Sequence, residues 1–484
     1  MTSTDTTRTS LFIGGRWRTP ATTDTIPVIS PLTEEQTGTI PASSTADVDA
    51  AVAAARETFR SDSWRAQSHA ERADMMRRFA DALEARAEAR AHAVTAENGM
   101  PIALARFAEG AAPVQLLRYY ADLIEAAPRE ERRNSQPMPG TTVVRRDPVG
   151  VVAAIAPWNF PAVLSMFKIA PALAAGCTVV LKPSPETTLD SYLLAEAAVE
   201  AGLPAGAINI VTGGAETGRY LVAHPGIDKV AFTGSTAAGR QIGAVCGELL
   251  RPVTLELGGK SAALVLDDAD LEATVAGLPA ASLLNAGQTC YMSTRVLVPR
   301  TAYDSYLEAI TEMARSLPIG DPLDEDTFIG PLVSDRQRRR VLDHIEQGRA
   351  DGGTVTTGGG APAGIDRGYF VAPTVFGGVD NGSAIARNEI FGPVLTVLSY
   401  DDLDDAVAIA NDSEYGLGGT VWTSDEERGL DVARRVETGS FGVNTFNLDW
   451  GSPFGGVKAS GLGRELGAEG LAAYQQTKSI FLPA

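Results

Sequence analysis

The chain has 484 residues, 44% of them hydrophobic and 21% charged, which is ordinary for a soluble globular protein with two or three large cores. Its formal net charge of −19 argues against a general affinity for nucleic acid or an anionic membrane. Three Cys and four His, scattered without ligand spacing, exclude a disulfide framework and point to no metal site.

In chain order, the start Met1-Thr-Ser-Thr-Asp5 lacks an apolar signal core, and no later apolar run is long enough to span a bilayer. A reducing cytoplasm is therefore the expected compartment. Ser44-Thr-Ala-Asp47 and Ser68-His-Ala-Glu71 have the form of capping boxes. Each precedes a helical apolar stripe: Val48, Val52, Ala55 and Phe59, then Met76, Phe79 and Leu83. Arg132-Arg-Asn-Ser-Gln-Pro-Met-Pro-Gly140 and Thr141-Thr-Val-Val-Arg-Arg146 read as an extended arm. From residue 151 the rhythm changes to short continuous apolar runs: Val151–Ala156, Cys177–Leu181, Ile208–Val211, Lys229–Thr233 and Val253–Leu257. Strands without alternation predict a parallel sheet covered on both faces, and the helical-length segments between them predict a doubly wound α/β unit. Gly176 and Gly202 fall where helices would end. Ala262–Leu266 and Thr294–Val298 open a second α/β pattern. The Pro- and Gly-rich stretches 318–332 and 352–368 read as surface loops.

Several turns at predicted strand ends carry chemically capable residues. Phe232-Thr-Gly-Ser235 places Gly234 and Ser235 at a helix start, where amide groups suit a phosphate; an ordinary βα turn reads the same way. Lys182-Pro-Ser-Pro-Glu186 leaves a strand end with a Lys that either reaches a ligand or caps the sheet in water. Asn159, in Ala156-Pro-Trp-Asn-Phe-Pro161, is either an oxyanion donor or a turn residue bonding its own backbone. Cys290, in Asn285-Ala-Gly-Gln-Thr-Cys290, pairs naturally with Glu256 of Leu255-Glu-Leu-Gly-Gly-Lys260 as nucleophile and general base. A lone Cys, however, is more often a small buried hydrophobe.

The order of the motifs decides among these readings. Pro157-Trp-Asn-Phe-Pro161, Lys182-Pro-Ser-Pro-Glu186, Phe232-Thr-Gly-Ser235, Leu255-Glu-Leu-Gly-Gly-Lys260, Gly287-Gln-Thr-Cys290, Glu389-Ile-Phe-Gly-Pro393 and Pro453-Phe-Gly-Gly-Val-Lys458 follow one another along the chain. The series resembles the aldehyde dehydrogenase superfamily over essentially its whole length. That resemblance implies a dinucleotide-binding domain (1–125 and 148–258), a second α/β catalytic domain (259–459) and a small β oligomerisation arm (126–147 and 460–484). It implies oxidation of an aldehyde to an acid with NAD(P)+ through a thiohemiacetal and a thioester on Cys290. Asn159 and the Cys290 amide would hold the oxyanion, and Glu256 would activate the hydrolytic water. Lys168 would support the Asn–Cys geometry, and Glu465 would give a proton route to Glu256. Trp158, Lys182, Gly234, Ser235, Glu389 and Phe391 match cofactor-contacting positions.

One departure bears on the cofactor. Many NAD-dependent relatives carry a carboxylate three residues after the Lys, where this chain has Pro185, with Glu186 one residue further on. NAD is the expected cofactor, with NADP as the alternative. Phe160, Met166, Phe167, Tyr291, Phe446, Trp450 and Phe454 fall at tunnel positions and imply an aromatic or medium-chain aldehyde. A homodimer or homotetramer is expected from the arm. The competing readings are a CoA-acylating dehydrogenase, which typically lacks the deacylating Glu, a cofactor-free thiol esterase, and a non-catalytic relative.

Overall fold

A computed structural model describes residues 6–484. Its centre is an eight-stranded sheet whose parallel part runs Val253–Glu256, Lys229–Thr233, Val151–Ile155, Thr178–Lys182, Ile208–Ile210 in spatial order. The chain starts at Val151–Ile155, winds outward one way through 178 and 208, and then returns to the other side through 229 and 253. A crevice therefore opens at the carboxyl ends where the direction reverses, the usual ligand position in an open α/β sheet. Antiparallel strands close the edges: Leu11–Ile13 with Arg16–Arg18 on one side, Gly461–Leu462 on the other.

The predicted runs become strands because they are buried on both faces; every residue of Val151–Ile155, Thr178–Lys182 and Lys229–Thr233 is buried. Helix Pro161–Ala175 is buried almost all round, which suits an element packed between sheet and outer helices. It ends at Gly176, whose φ of 93° supplies the left-handed cap. Both predicted capping boxes form, at Ser44 and Ser68.

A second, seven-stranded sheet contains Ala262–Val265, Arg295–Pro299 and Val394–Tyr400 side by side and parallel. Its edge strand Thr354–Thr357 lies inside the stretch expected to be loop, held by antiparallel pairing to Thr374–Gly377. The arm is a three-stranded sheet of Glu130–Asn134, Thr141–Pro148 and Gln475–Leu482. Of the C-terminal stretch expected in the arm, only Gln475–Leu482 belongs to that sheet. Gly461–Leu462 pairs instead with Leu255 and Glu256 of the large sheet. Among the described residues, no helix is long and apolar enough to cross a membrane, and no cluster of His, Cys, Asp and Glu side chains suits a metal ion.

Candidate active site

The chemically capable residues come together because the parallel strands all end on one side. Asn159 lies between Val151–Ile155 and its helix, Lys182 ends Thr178–Lys182, Ser235 precedes helix Thr236–Glu248, and Glu256 ends Val253–Glu256. The second sheet faces them with Cys290, placed between the short helical turn Leu284–Gly287 and strand Arg295–Pro299. That approach is unusual backbone: Asn285, Ala286 and Gly287 have φ of 52°, 55° and 75° in succession. Glycine is required at the third position, since a Cβ there would lie 2.1 Å from the Gly392 carbonyl oxygen.

Asn159 is locked to this turn. Its Nδ2 donates to Gln288 O at 2.9 Å, and its own carbonyl accepts from Asn285 Nδ2 at 2.9 Å. Gln288 in turn accepts from Val333 N through Oε1 at 3.0 Å, tying the turn to the next loop. One N–H of the Asn159 amide remains for a substrate oxygen. Cys290 keeps partial exposure, whereas Cys177 and Cys246 are buried. Burial raises its pKa far above that of a free thiol, with the Glu389 and Glu256 charges adding to the effect; the Cys290 and Tyr291 amides oppose it. At rest the group is a thiol, and a base or a bound charge must help it ionise.

Glu256 is buried, and neither carboxylate oxygen has a hydrogen-bond partner. Burial raises its pKa well above the ordinary value, and Glu465 raises it further, against the nearby Lys168 and Arg464 charges. A raised carboxyl pKa is a common feature of general bases, and here the Gly456 amide opposes the shift. No hydrogen bond joins Lys168 to Asn159. Its Nζ donates to Thr233 Oγ1 (2.6 Å), Glu465 Oε1 (2.9 Å) and Leu164 O (3.3 Å), so its bonds fix the Glu256 side of the site.

The cofactor candidates line the crevice. Ser235 caps helix Thr236–Glu248 by accepting from Ala238 N, leaving the outer amides of that turn free for an anion. Lys182 Nζ is buried, donates to the Pro183 and Gly213 carbonyls, and is pulled down to about 8 by burial. Glu389 Oε1 accepts from Gly259 N at 3.0 Å, and a Cβ at Gly258 would lie 2.3 Å from its carboxylate. Trp158 and Phe391 meet edge to face at 5.2 Å. Glycine cradle, helix N-terminus and half-buried carboxylate together fit a dinucleotide. Glu186 is already engaged: Ser184 Oγ donates to one oxygen at 2.6 Å and Arg336 to the other at 2.7 Å.

Of the tunnel candidates, Phe160, Phe167, Trp450, Phe454 and Tyr291 share one apolar cluster with Cys290. Tyr291 stacks on Phe446 at 4.5 Å and 12°, and Phe167 meets Trp450 and Phe454 edge to face. Met166 is buried in the same cluster beside these rings. Sequence reasoning missed Gln337 and Arg340. These donate to the Phe391 and Glu389 carbonyls from helix Asp335–Ala350, a contact that no local motif signals.

Comparison with known proteins identifies the family. The family model described as "Aldehyde dehydrogenase family" matches residues 17–480. The chain belongs to the aldehyde dehydrogenase family. A geranial dehydrogenase of Castellaniella defragrans is 55% identical over 472 residues, covering 98% of each chain. The solved aldehyde dehydrogenase of Mycobacterium tuberculosis, complexed with NAD+, superposes with a TM-score of 0.97 at 45% identity and 99% coverage of both chains. Aldehyde dehydrogenase C of Pseudomonas syringae, solved with NAD+ and octanal, has a TM-score of 0.95 at 39% identity, covering 99% of this chain and 98% of that one.

Proposed function

We propose that this aldehyde dehydrogenase oxidises apolar aldehydes to carboxylic acids with NAD+ through a covalent intermediate on Cys290. The observation that carries the reading is the convergence of a partly exposed Cys290 with the Asn159 amide and the unpartnered Glu256 carboxylate. Cys290 passes its thiol proton through Glu256 to solvent and its Sγ attacks the aldehyde carbon, while the Asn159 side-chain N–H and the Cys290 amide take the developing oxygen charge. NAD+, when bound, would accept the hydride that leaves this adduct, giving the thioester. Ser235, Lys182 and Glu389 would hold it, and Trp158 and Phe391 would flank it. Glu256 then takes a proton from water, which attacks the thioester carbonyl and releases the acid and the Cys290 sulfur.

NAD+ is favoured over NADP+ because the Glu186 carboxylate stands beside the Lys182 turn, although Arg336 partly offsets its charge. The apolar cluster around Cys290 favours aromatic or medium-chain substrates. A relative named geranial dehydrogenase and a structural neighbour solved with octanal support that class. The test is reduced-nicotinamide formation across octanal, phenylacetaldehyde and a charged semialdehyde, with both cofactors. Apolar aldehydes with NAD+ should give the highest kcat/KM; a preference for the charged substrate, or for NADP+, contradicts the reading.

The edge strand Gln475–Leu482 leaves Ile480, Phe481 and Leu482 exposed, and a second copy of the chain would cover them in a homodimer or homotetramer. A monomeric mass in solution contradicts that assembly.

A further inference from the structure

The helix that follows Asn159 has no cap of its own. Phe160 sits at the N-cap with φ −137° and ψ 71° and makes no side-chain capping bond. Its neighbour Pro161 has no amide hydrogen, so the free donors of the first turn are the Ala162 and Val163 amides. Both are answered by a single atom from another helix. Glu109 Oε2 accepts from Ala162 N at 2.6 Å and from Val163 N at 3.4 Å. Glu109 is fully buried. It lies in the π-helical turn Arg106–Ala111, inserted between Ile102–Ala105 and Ala112–Ala126. Such single-turn insertions tend to occur at functional sites, where they redirect a side chain. The turn is itself braced, since Arg90 donates to the Gly110 carbonyl and its charge faces Glu109 and Asp190.

The same loop is held at its other end. Asn98 Nδ2 donates to Trp158 O at 2.8 Å, and Thr187 Oγ1 reaches that carbonyl at 3.3 Å. Asn159 thus hangs between two anchors, one on Trp158 and one on Ala162. The second anchor is a carboxyl whose pKa is raised to about 8 by burial and by Asp190, so it holds the helix start by accepting the two amides and not by its charge.

We propose that Glu109 is a positioning residue for the reaction: it fixes the first turn of helix Pro161–Ala175 and so keeps the Asn159 amide aimed at the oxygen of a Cys290 adduct. This rests on the reading of Asn159 as an oxyanion donor. Misplacing a reacting group by about 1 Å costs about 100-fold in rate, so losing the anchor should be visible in the acylation step.

The experiment uses p-nitrophenyl acetate, whose attack by Cys290 needs the oxyanion site but no cofactor, in a double-mutant cycle. Glu109→Leu should slow the acylation burst about 100-fold, and Asn159→Ala about 100- to 1,000-fold. The double variant should be no slower than Asn159→Ala alone, because nothing remains to be positioned. Glu109→Gln, which keeps an acceptor oxygen for Ala162 N–H, should stay near the wild-type rate. Glu109→Asp, shortened by one methylene, should be slow. NAD+ affinity should be unchanged throughout. A normal burst in Glu109→Leu, penalties that multiply in the double variant, or equal rates for Glu109→Asp and Glu109→Gln would overturn the proposal. The last comparison still decides if the Leu variant does not fold. A normal burst in Asn159→Ala would instead remove the oxyanion reading itself.

Discussion

Lys168 and Glu465 form an ion pair inside the protein, Nζ to Oε1 at 2.9 Å, with side chains 0% and 2% exposed. Lys168 is saturated by Thr233 Oγ1 and Leu164 O, whereas Glu465 Oε2 has no partner. The imbalance matters because Glu465 carries the charge that, after burial, most strongly raises the Glu256 pKa.

Replacing Glu465 with Gln removes that repulsion and lowers the Glu256 pKa. A general base works only when deprotonated, so kcat falls as pH drops through this pKa. The acid limb of the kcat profile should therefore move to lower pH in Glu465→Gln. A limb that stays in place, or moves upward, would disconnect the two residues.

Replacing Lys168 with Met leaves the Glu465 carboxylate buried and uncompensated. Breaking such a pair from one side costs about 3–5 kcal/mol. Urea unfolding of Lys168→Met should show a loss of that order, and Lys168→Met with Glu465→Leu should recover much of it. An unchanged midpoint in the single variant would mean that the pair carries no structural weight.

Gly287→Ala forces a Cβ into the Gly392 carbonyl at a residue whose φ is 75°. The left-handed backbone alone costs about 1–2 kcal/mol for a residue with a Cβ, and the clash displaces the turn that carries Cys290. Melting temperature and the rate of Cys290 acylation should fall together. A variant that loses stability but acylates normally would show that the turn tolerates movement.

Much of this arrangement was legible in the sequence, for identifiable reasons. Lys229–Thr233 is a strand at its predicted bounds because an apolar run buried on both faces has no other stable place. Asn159 and Glu256 share one side of the large sheet because one follows a strand and the other ends one, while Cys290 comes from the turn that precedes strand Arg295–Pro299 of the second sheet. Contacts between distant residues were not legible. The Lys168–Glu465 bond spans 297 positions, and Glu109 meets Ala162 across 53; neither leaves a local pattern. The polar strand Thr354–Thr357, flanked by glycines, reads as loop until Thr374–Gly377 pairs with it.

Phe446 stacks on Tyr291 and is itself only partly buried, so it can be truncated without opening the core. Aromatic pairing adds about 0.5–1.5 kcal/mol beyond burial. Phe446→Ala should raise KM for phenylacetaldehyde several-fold while leaving kcat for acetaldehyde unchanged. Equal effects on both substrates would place the stack in structure and not in substrate choice.

The central claim is a thioester on Cys290 whose removal needs Glu256. It is tested most directly by mixing Glu256→Gln enzyme with NAD+ and octanal, quenching, and reading the peptide masses. One acyl group is expected on the peptide containing Cys290, formed only when NAD+ is present and matched by a single turnover of reduced nicotinamide. Reduced nicotinamide formed with Cys290 unmodified, or normal steady-state turnover by this variant, would contradict it.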